Sequence, residues 1–336
     1  MKKRANLRDV AQRAGVSVAT VSRVMNTPTR VSPETRSRVE AAMSDLRFTP
    51  SAAARSINTG RTQTVAALLP TLANSTFARF ADGLEARLGA FGYSLVVATT
   101  GEDPETELAK ARQMLNIGAE AIIVTGASQT EEFRSFVARH TVPTVSVSLF
   151  QEDAWLPTIG YDNQKAVIQA LDHLRQLGHR HIAVVYGPKE NNDRTRVRLE
   201  TLKQAEAAAG GTLSFRFVET QFSVQGGAEA AAHLLDQRGS ETAVLAFTDV
   251  LASGVINGLH SKGLRVPQDF SVVGMEDLPS SASLYPPLTT VHLPVRRMGE
   301  QAAEALAQWL DHGIRPDHQE LPTELAARSS SVVLSR

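Results

Sequence analysis

LRDVAQRAGVSVATVSRVMN, residues 7–26, reads as two short helices joined by a tight turn. Asn6 can accept hydrogen bonds from the free amides of a helix over 7–14, and Ser17 can do the same for one over 18–25. Gly15 falls in the turn, where a left-handed backbone costs a residue without a side chain least. Downstream, Ser32 followed by Pro33 at a first helical position opens a third helix ending near Leu46. Leu7, Val10, Ala11, Val21, Val24, Val39, Met43 and Leu46 recur at three- and four-residue spacing, enough apolar surface for a small shared core. This is a helix-turn-helix pattern. Its second helix presents Val18, Ala19, Ser22 and Arg23 near its start and on one side, short enough to enter a major groove, with Arg23 able to fork onto a guanine edge or a phosphate.

Charge supports a polyanion partner for this head. The 336-residue chain carries 35 Lys plus Arg and 35 Asp plus Glu, yet residues 1–61 hold twelve of the basic residues and only four of the acids. A basic head on an acidic body is expected when one domain meets nucleic acid and the other does not. The linking segment SAAARSINTGRTQT, 51–64, is small and polar with two Arg. Its Ala run favours helix, but so short a helix needs something to pack against. The absence of Cys excludes a disulfide framework, a catalytic thiol and thiolate metal sites. The opening MKKRANLRDV lacks the apolar run of a signal peptide, so a cytoplasmic location is expected, and with no run near 18 apolar residues no membrane partner is expected. The sequon Asn74-Ser75-Thr76 is then uninformative.

From Val65 the rhythm changes to short apolar runs, each followed by an amphipathic stretch: 65–70, 94–100, 121–126 and 144–149, then again 181–187, 215–220, 243–249 and 271–277. Apolar strands alternating with helices imply parallel sheets covered on both faces, and two series imply two doubly wound subdomains. The fold class is therefore α/β: an all-helical head and a body of two parallel-sheet lobes. Ligands in such folds sit beyond the carboxyl ends of strands or between lobes, which places Thr248, Asp249, Glu276 and Asp277 near a pocket. His179 and His181 lack any metal-ligand spacing and read as structural. No GxGxxG, GxxxxGK[ST] or GxSxG occurs, and the acid pairs Glu131-Glu132 and Glu276-Asp277 have no nucleophile nearby. Neither cofactor, metal nor catalytic residue is expected.

AGVSVATVSRVMN with PSAAARSINTGRT downstream resembles the head and hinge of the lactose/galactose-repressor (LacI/GalR) transcription regulators. RQLGHRHIAVVYGP (175–188), TDVLASGVINGLHSKGLRVPQDFSVVGMED (248–277) and PPLTTVHLPVRRMGEQAAEAL (286–306) match the family's body in order. The resemblance implies a DNA-binding domain at 1–49 and a hinge at 50–61. It divides the body into an N-terminal lobe, 62–160 plus 292–318, and a C-terminal lobe like those of periplasmic binding proteins, 161–290 plus 320–336. By it, Val18, Ala19 and Arg23 read bases while Ser17, Thr20, Ser22 and Asn26 sit on phosphates, with Asn6, Arg30, Ala54, Arg55 and Ile57 completing the DNA-facing set. Ile57 stands where the family wedges Leu into a minor-groove step, and Ser51 where Asn is usual.

The effector set implied is Asn74, Phe77, Ser148, Tyr161, Arg198, Phe222, Thr248 and Glu276. Ser148 replaces a frequent Asp and Glu276 lengthens the usual Asp. With one acid fewer beside Arg198, a sugar acid or other anion joins neutral sugars among the expected effectors. Alternate residues on a helix face different ways, so of Arg194, Arg196 and Arg198 at most one or two should reach the ligand, and Arg198 is the one expected there. The resemblance further implies a repressor of carbohydrate or sugar-acid genes that binds a palindromic duplex operator as a homodimer; LAARSSSVVLSR is followed by no heptad tail, so a dimer is expected rather than a tetramer. Two other classes share the body: a two-lobed transport receptor, which has no use for residues 1–61, and an α/β enzyme, which would need a catalytic constellation.

Overall fold

The computed structural model describes residues 5–48, 60–237 and 239–334. The chain divides into two compact units, the head up to Thr62 and the body from Gln63. Ala54, Arg55 and Ile57, with Ser51 and the hinge helix, lie outside the described residues.

In the head, α1 (Leu7–Ala14), α2 (Val18–Asn26) and α3 (Pro33–Asp45) begin where the side-chain caps predict. Asn6 Oδ1 accepts from the amides of Arg8 and Asp9 at 2.8 and 3.2 Å while Asp9 reaches back to the Asn6 amide at 2.9 Å, a closed capping box. Gly15 takes φ 65°, letting the chain reverse between α1 and α2. Val10, Ala11, Val21, Val24, Val39 and Ala42 form the buried core, with Leu7, Met43 and Leu46 packed against it. Arg13 pairs with Asp45 at 2.8 Å across the ends of α1 and α3.

The body contains two six-stranded sheets. The first has the order β11-β5-β4-β3-β1-β2, from β1 (Thr64–Leu69), β2 (Ser94–Thr99), β3 (Ala121–Thr125), β4 (Thr144–Val147), β5 (Thr158–Gly160) and β11 (Gln319–Glu320), all parallel. The second has the order β12-β10-β9-β8-β6-β7, from β6 (His181–Tyr186), β7 (Ser214–Glu219), β8 (Ala243–Ala246), β9 (Ser271–Glu276), β10 (Thr289–His292) and the antiparallel edge β12 (Glu324–Ala326). The central strands read AIIVT and AVLA and are buried on both faces, as parallel strands between helix layers must be. The eight apolar runs all form strands; β5, β10, β11 and β12, short and less apolar, complete the sheets.

Helices α4 (Ser75–Ala90), α5 (Pro104–Asn116), α6 (Glu131–His140) and α11 (Val295–His312) cover the first sheet. Helices α7 (Asn163–Gln176), α8 (Asp193–Ala208), α9 (Val224–Asp236) and α10 (Asp249–Ser261) cover the second. The backbone crosses between lobes after β5, after β10 and after β11, so that the carboxyl ends of both sheets' central strands open onto one cleft. Among the described residues, no helix is long and apolar enough to cross a membrane.

Candidate functional site

On the head, the start of α2 is exposed. Val18 is 41 % exposed, Ala19 and Arg23 are exposed, and Val21 and Val24 on the opposite face are buried. Ser17 is consumed as the cap of α2, accepting from the Thr20 amide at 3.1 Å, with its hydroxyl 2.9 Å from that of Thr20. The Asn6 side-chain oxygen is likewise committed to capping α1. Ser22 is half-buried, Asn26 ends α2, and Arg30 is exposed at the end of a short 3-10 turn over Pro28–Arg30. The arrangement is a short helix with small side chains and one guanidinium facing outward, the shape that fits a major groove.

In the body, all eight residues expected at an effector line one cavity of about 470 Å³ between the lobes. Asn74 and Thr248 sit at helix starts, accepting from the amides of Thr76 at 2.9 Å and Leu251 at 3.2 Å. Phe77, Tyr161 and Phe222 supply apolar faces, and Phe222 packs over Gly187, a position where a side chain would collide with its ring. The wall also includes Arg194, which the sequence placed behind Arg198 as a ligand candidate, and residues that sequence reasoning did not single out: Thr76, Glu102, Asn192, Phe247 and Leu293. Their only sequence signal is position, just after a strand or at a helix start. Asp249 and Asp277, expected near the pocket, do not line it. Asp249 turns into the C-terminal lobe and accepts from Leu278 N, Ser281 Oγ and Thr290 Oγ1 at 2.9, 2.6 and 2.5 Å. Asp277 pairs with Arg328 at 2.6 Å and His292 at 3.0 Å. Loop-borne acids at strand ends are as often structural anchors as ligand groups, and spacing alone cannot tell which way they turn.

The charges in the cleft are mostly spoken for. Arg198 Nε donates to Asn163 Oδ1 at 2.9 Å and Nη1 to the Phe247 carbonyl at 3.0 Å. Asn163 in turn donates to the Ser148 carbonyl at 3.1 Å, tying this group to the other lobe. Burial pulls the Arg198 pKa down and pushes that of the Tyr161 hydroxyl up. Arg194, one turn before Arg198 on the same face of α8, pairs with Glu102 at 2.7 Å and Asp193 at 2.9 Å. Arg196 is exposed and donates to the Lys189 carbonyl. Glu276 differs from all of these. It is 5 % exposed; Oε1 accepts from Thr76 Oγ1 of the N-terminal lobe at 2.7 Å, and Oε2 has no partner. Burial pushes its pKa up to about 7, Asp249 adding to the effect and Thr76 and Arg198 opposing it. Glu107, beside the cleft on α5, is raised to about 7 by the same cause.

His179 and His181, at the start of the interior strand β6, bond Thr242 and Ser214 at 2.8 and 2.7 Å. Among the described residues, no group of three or more His, Asp or Glu is placed to hold a metal ion.

The model of bacterial regulatory proteins, lacI family, matches residues 6–51, and that of a periplasmic binding protein-like domain matches residues 171–331. The HTH-type transcriptional regulator DegA of Bacillus subtilis (strain 168) is 31 % identical, over 97 % of this chain and 98 % of its own length. The chain belongs to the LacI family. The ribose operon repressor of Escherichia coli (strain K12) is 32 % identical, over 90 % of this chain and 92 % of its own. A crystal structure of the Lac repressor dimer bound to operator and the anti-inducer ONPF superposes with a TM-score of 0.88 at 26 % identity, covering 98 % of this chain and all of that one. This LacI-family protein is thus a DNA-binding transcription regulator and not an enzyme, with the helical head and two parallel-sheet lobes of the Lac repressor fold.

Proposed function

We propose that this regulator represses transcription by binding a palindromic duplex operator as a homodimer, through Val18, Ala19 and Arg23 at base edges and Ser17, Thr20, Ser22, Asn26 and Arg30 along the backbone. A second proposal concerns control: an uncharged, polyhydroxylated small molecule, a sugar in the first instance, binds between the lobes and shifts the affinity for DNA. The single observation that carries the ligand class is Glu276, which lines the cavity and whose buried Oε2 has no hydrogen-bond partner. A buried carboxyl oxygen left bare is costly, so the ligand group that fits it is a hydroxyl, which accepts from the acid when it is protonated and donates to it when it is ionised. Against a sugar acid stands the state of the two guanidiniums, Arg198 and Arg194, each already held by the protein. An anion would meet Glu276 and Glu102 without a bare cation to offset them. Phe77 and Phe222 provide the apolar faces on which a pyranose or furanose ring rests. The ribose operon repressor among the relatives agrees with a carbohydrate effector.

The test is selection of bound duplexes from a random library, repeated with neutral sugars, the matching sugar acids and purine bases. A palindrome whose recovery changes with a neutral sugar and not with its acid is the expected result. A response to the acid alone, or to a purine alone, overturns the ligand class; failure to enrich any sequence overturns the operator reading.

A further inference from the structure

The end of β9 is held in an unusual backbone. Glu276 takes φ 124° and Asp277 φ 52°, two consecutive residues with side chains in the region that favours glycine. Such a corner persists only where its surroundings over-determine it, and it is through this corner that Glu276 leaves the sheet and enters the cleft. The Asp277 carboxylate lies at the centre of those surroundings. Oδ1 takes Arg328 Nη2 at 2.6 Å and Oδ2 faces His292 Nδ1 at 3.0 Å. Arg328 is fixed in turn, Nη1 donating to the Leu288 carbonyl at 2.7 Å and its amide to Thr289 Oγ1 at 2.9 Å. The Asp277 carbonyl accepts from Arg79 Nη1, on α4 of the N-terminal lobe, at 3.2 Å. His292 closes β10 and leads through Leu293, which lines the cavity, into α11 of the other lobe.

We infer that Asp277, clamped by Arg328 and His292, is a positioning residue: it holds the backbone corner that aims Glu276 into the cleft, and it ties that corner to a chain crossing between the lobes. Asp277 itself touches no ligand. Burial alone would raise its pKa, but the bonds from Arg328 and His292 outweigh it and keep the group ionised below the usual carboxylate range, so the clamp stands throughout the neutral region. The inference rests on the reading of Glu276 as the residue that faces the effector.

Calorimetric melting of the full-length protein without effector tests it. Glu276 holds a proton in the folded chain up to about pH 7 and gives it up near the ordinary glutamate value of 4.5 when unfolded, so the stability it adds is full below about 4.5 and is lost as the pH rises to about 7. The charged groups facing it are Arg198 on α8, Asp249 on α10 and Asp277 beside it, with the Tyr161 hydroxyl; all are common to both arms of the comparison. Between pH 5 and pH 8 the body transition of the unaltered protein should therefore fall relative to that of Glu276→Gln, by roughly 2–4 °C. In an Asp277→Asn background the same comparison should become flat, because Glu276 is free to reach water. Arg328→Gln, which leaves Asp277 in place, should flatten it too, and Arg328→Lys should restore part of it. An undiminished pH-dependent difference in both Asp277→Asn and Arg328→Gln backgrounds overturns the inference, as does its absence in the unaltered protein. Should Asp277→Asn fail to fold, the Arg328 pair decides. Because no effector is used, a sugar panel without response would remove the effector reading and leave this result legible by itself.

Discussion

At the scale of single residues, capping and contact make different demands. Asn6 and Arg23 both stand in the DNA-facing set, but the Asn6 side-chain oxygen caps α1 whereas Arg23 holds no cap and is exposed on the outer face of α2. Asn6→Ala should lower head stability by about 1 kcal/mol, read as an earlier melting of the helical signal. Arg23→Ala should leave that melting unchanged and weaken operator binding by roughly 10- to 100-fold in a titration against the selected duplex. Equal losses of both kinds from both variants would show the two roles to be confounded. The caps were legible in advance because a side chain bonding amides two or three residues away is local chemistry. The roles of Asp249 and Asp277 were not, since each is decided by groups 15 to 51 residues distant: Thr290 for the first, His292 and Arg328 for the second.

At the scale of elements, the strand pattern was plain wherever a strand is buried on both faces, and faint at the margins. β11 and β12 are two and three residues long and carry Gln and Glu, so no periodicity announces them; they exist because neighbouring strands offer an unpaired edge. Helix pairing is similar. α9 and α10 approach so closely that a Cβ on Gly254 would strike the Val224 carbonyl, and one on Gly227 the Leu251 carbonyl. Gly254→Ala should gain up to about 1 kcal/mol of helix propensity and lose about 1–3 kcal/mol to overpacking against backbone that cannot step aside. The expected net is destabilisation of about 1 kcal/mol, seen as a lower midpoint in urea; a higher midpoint would mean that the helices separate freely.

At the scale of the whole molecule, the uneven charge predicts how DNA binding responds to salt. A head carrying an excess of eight positive charges over residues 1–61 should show operator affinity falling steeply and log-linearly with salt concentration. Glu276→Gln should leave that slope unchanged, since the cleft sees no phosphate; a shared change in slope would place the body on the DNA. Sedimentation at micromolar concentration should show a dimer, and a stable tetramer would refute the assembly proposed. The sequence by itself determined the helical head, the two strand-and-helix series, the separation of charge and the resemblance to one family, because caps, hydrophobic period and net charge are properties of neighbouring residues. It also named eight cavity residues, through the resemblance and not through spacing. What only the tertiary structure decided is which charges in the cleft are already satisfied: Arg198 by Asn163 and Phe247, Arg194 by Glu102 and Asp193, and Glu276 on one oxygen alone. Those partners come from different strands and different lobes, and the free energy of a buried charge depends on what surrounds it in space, which no local pattern records.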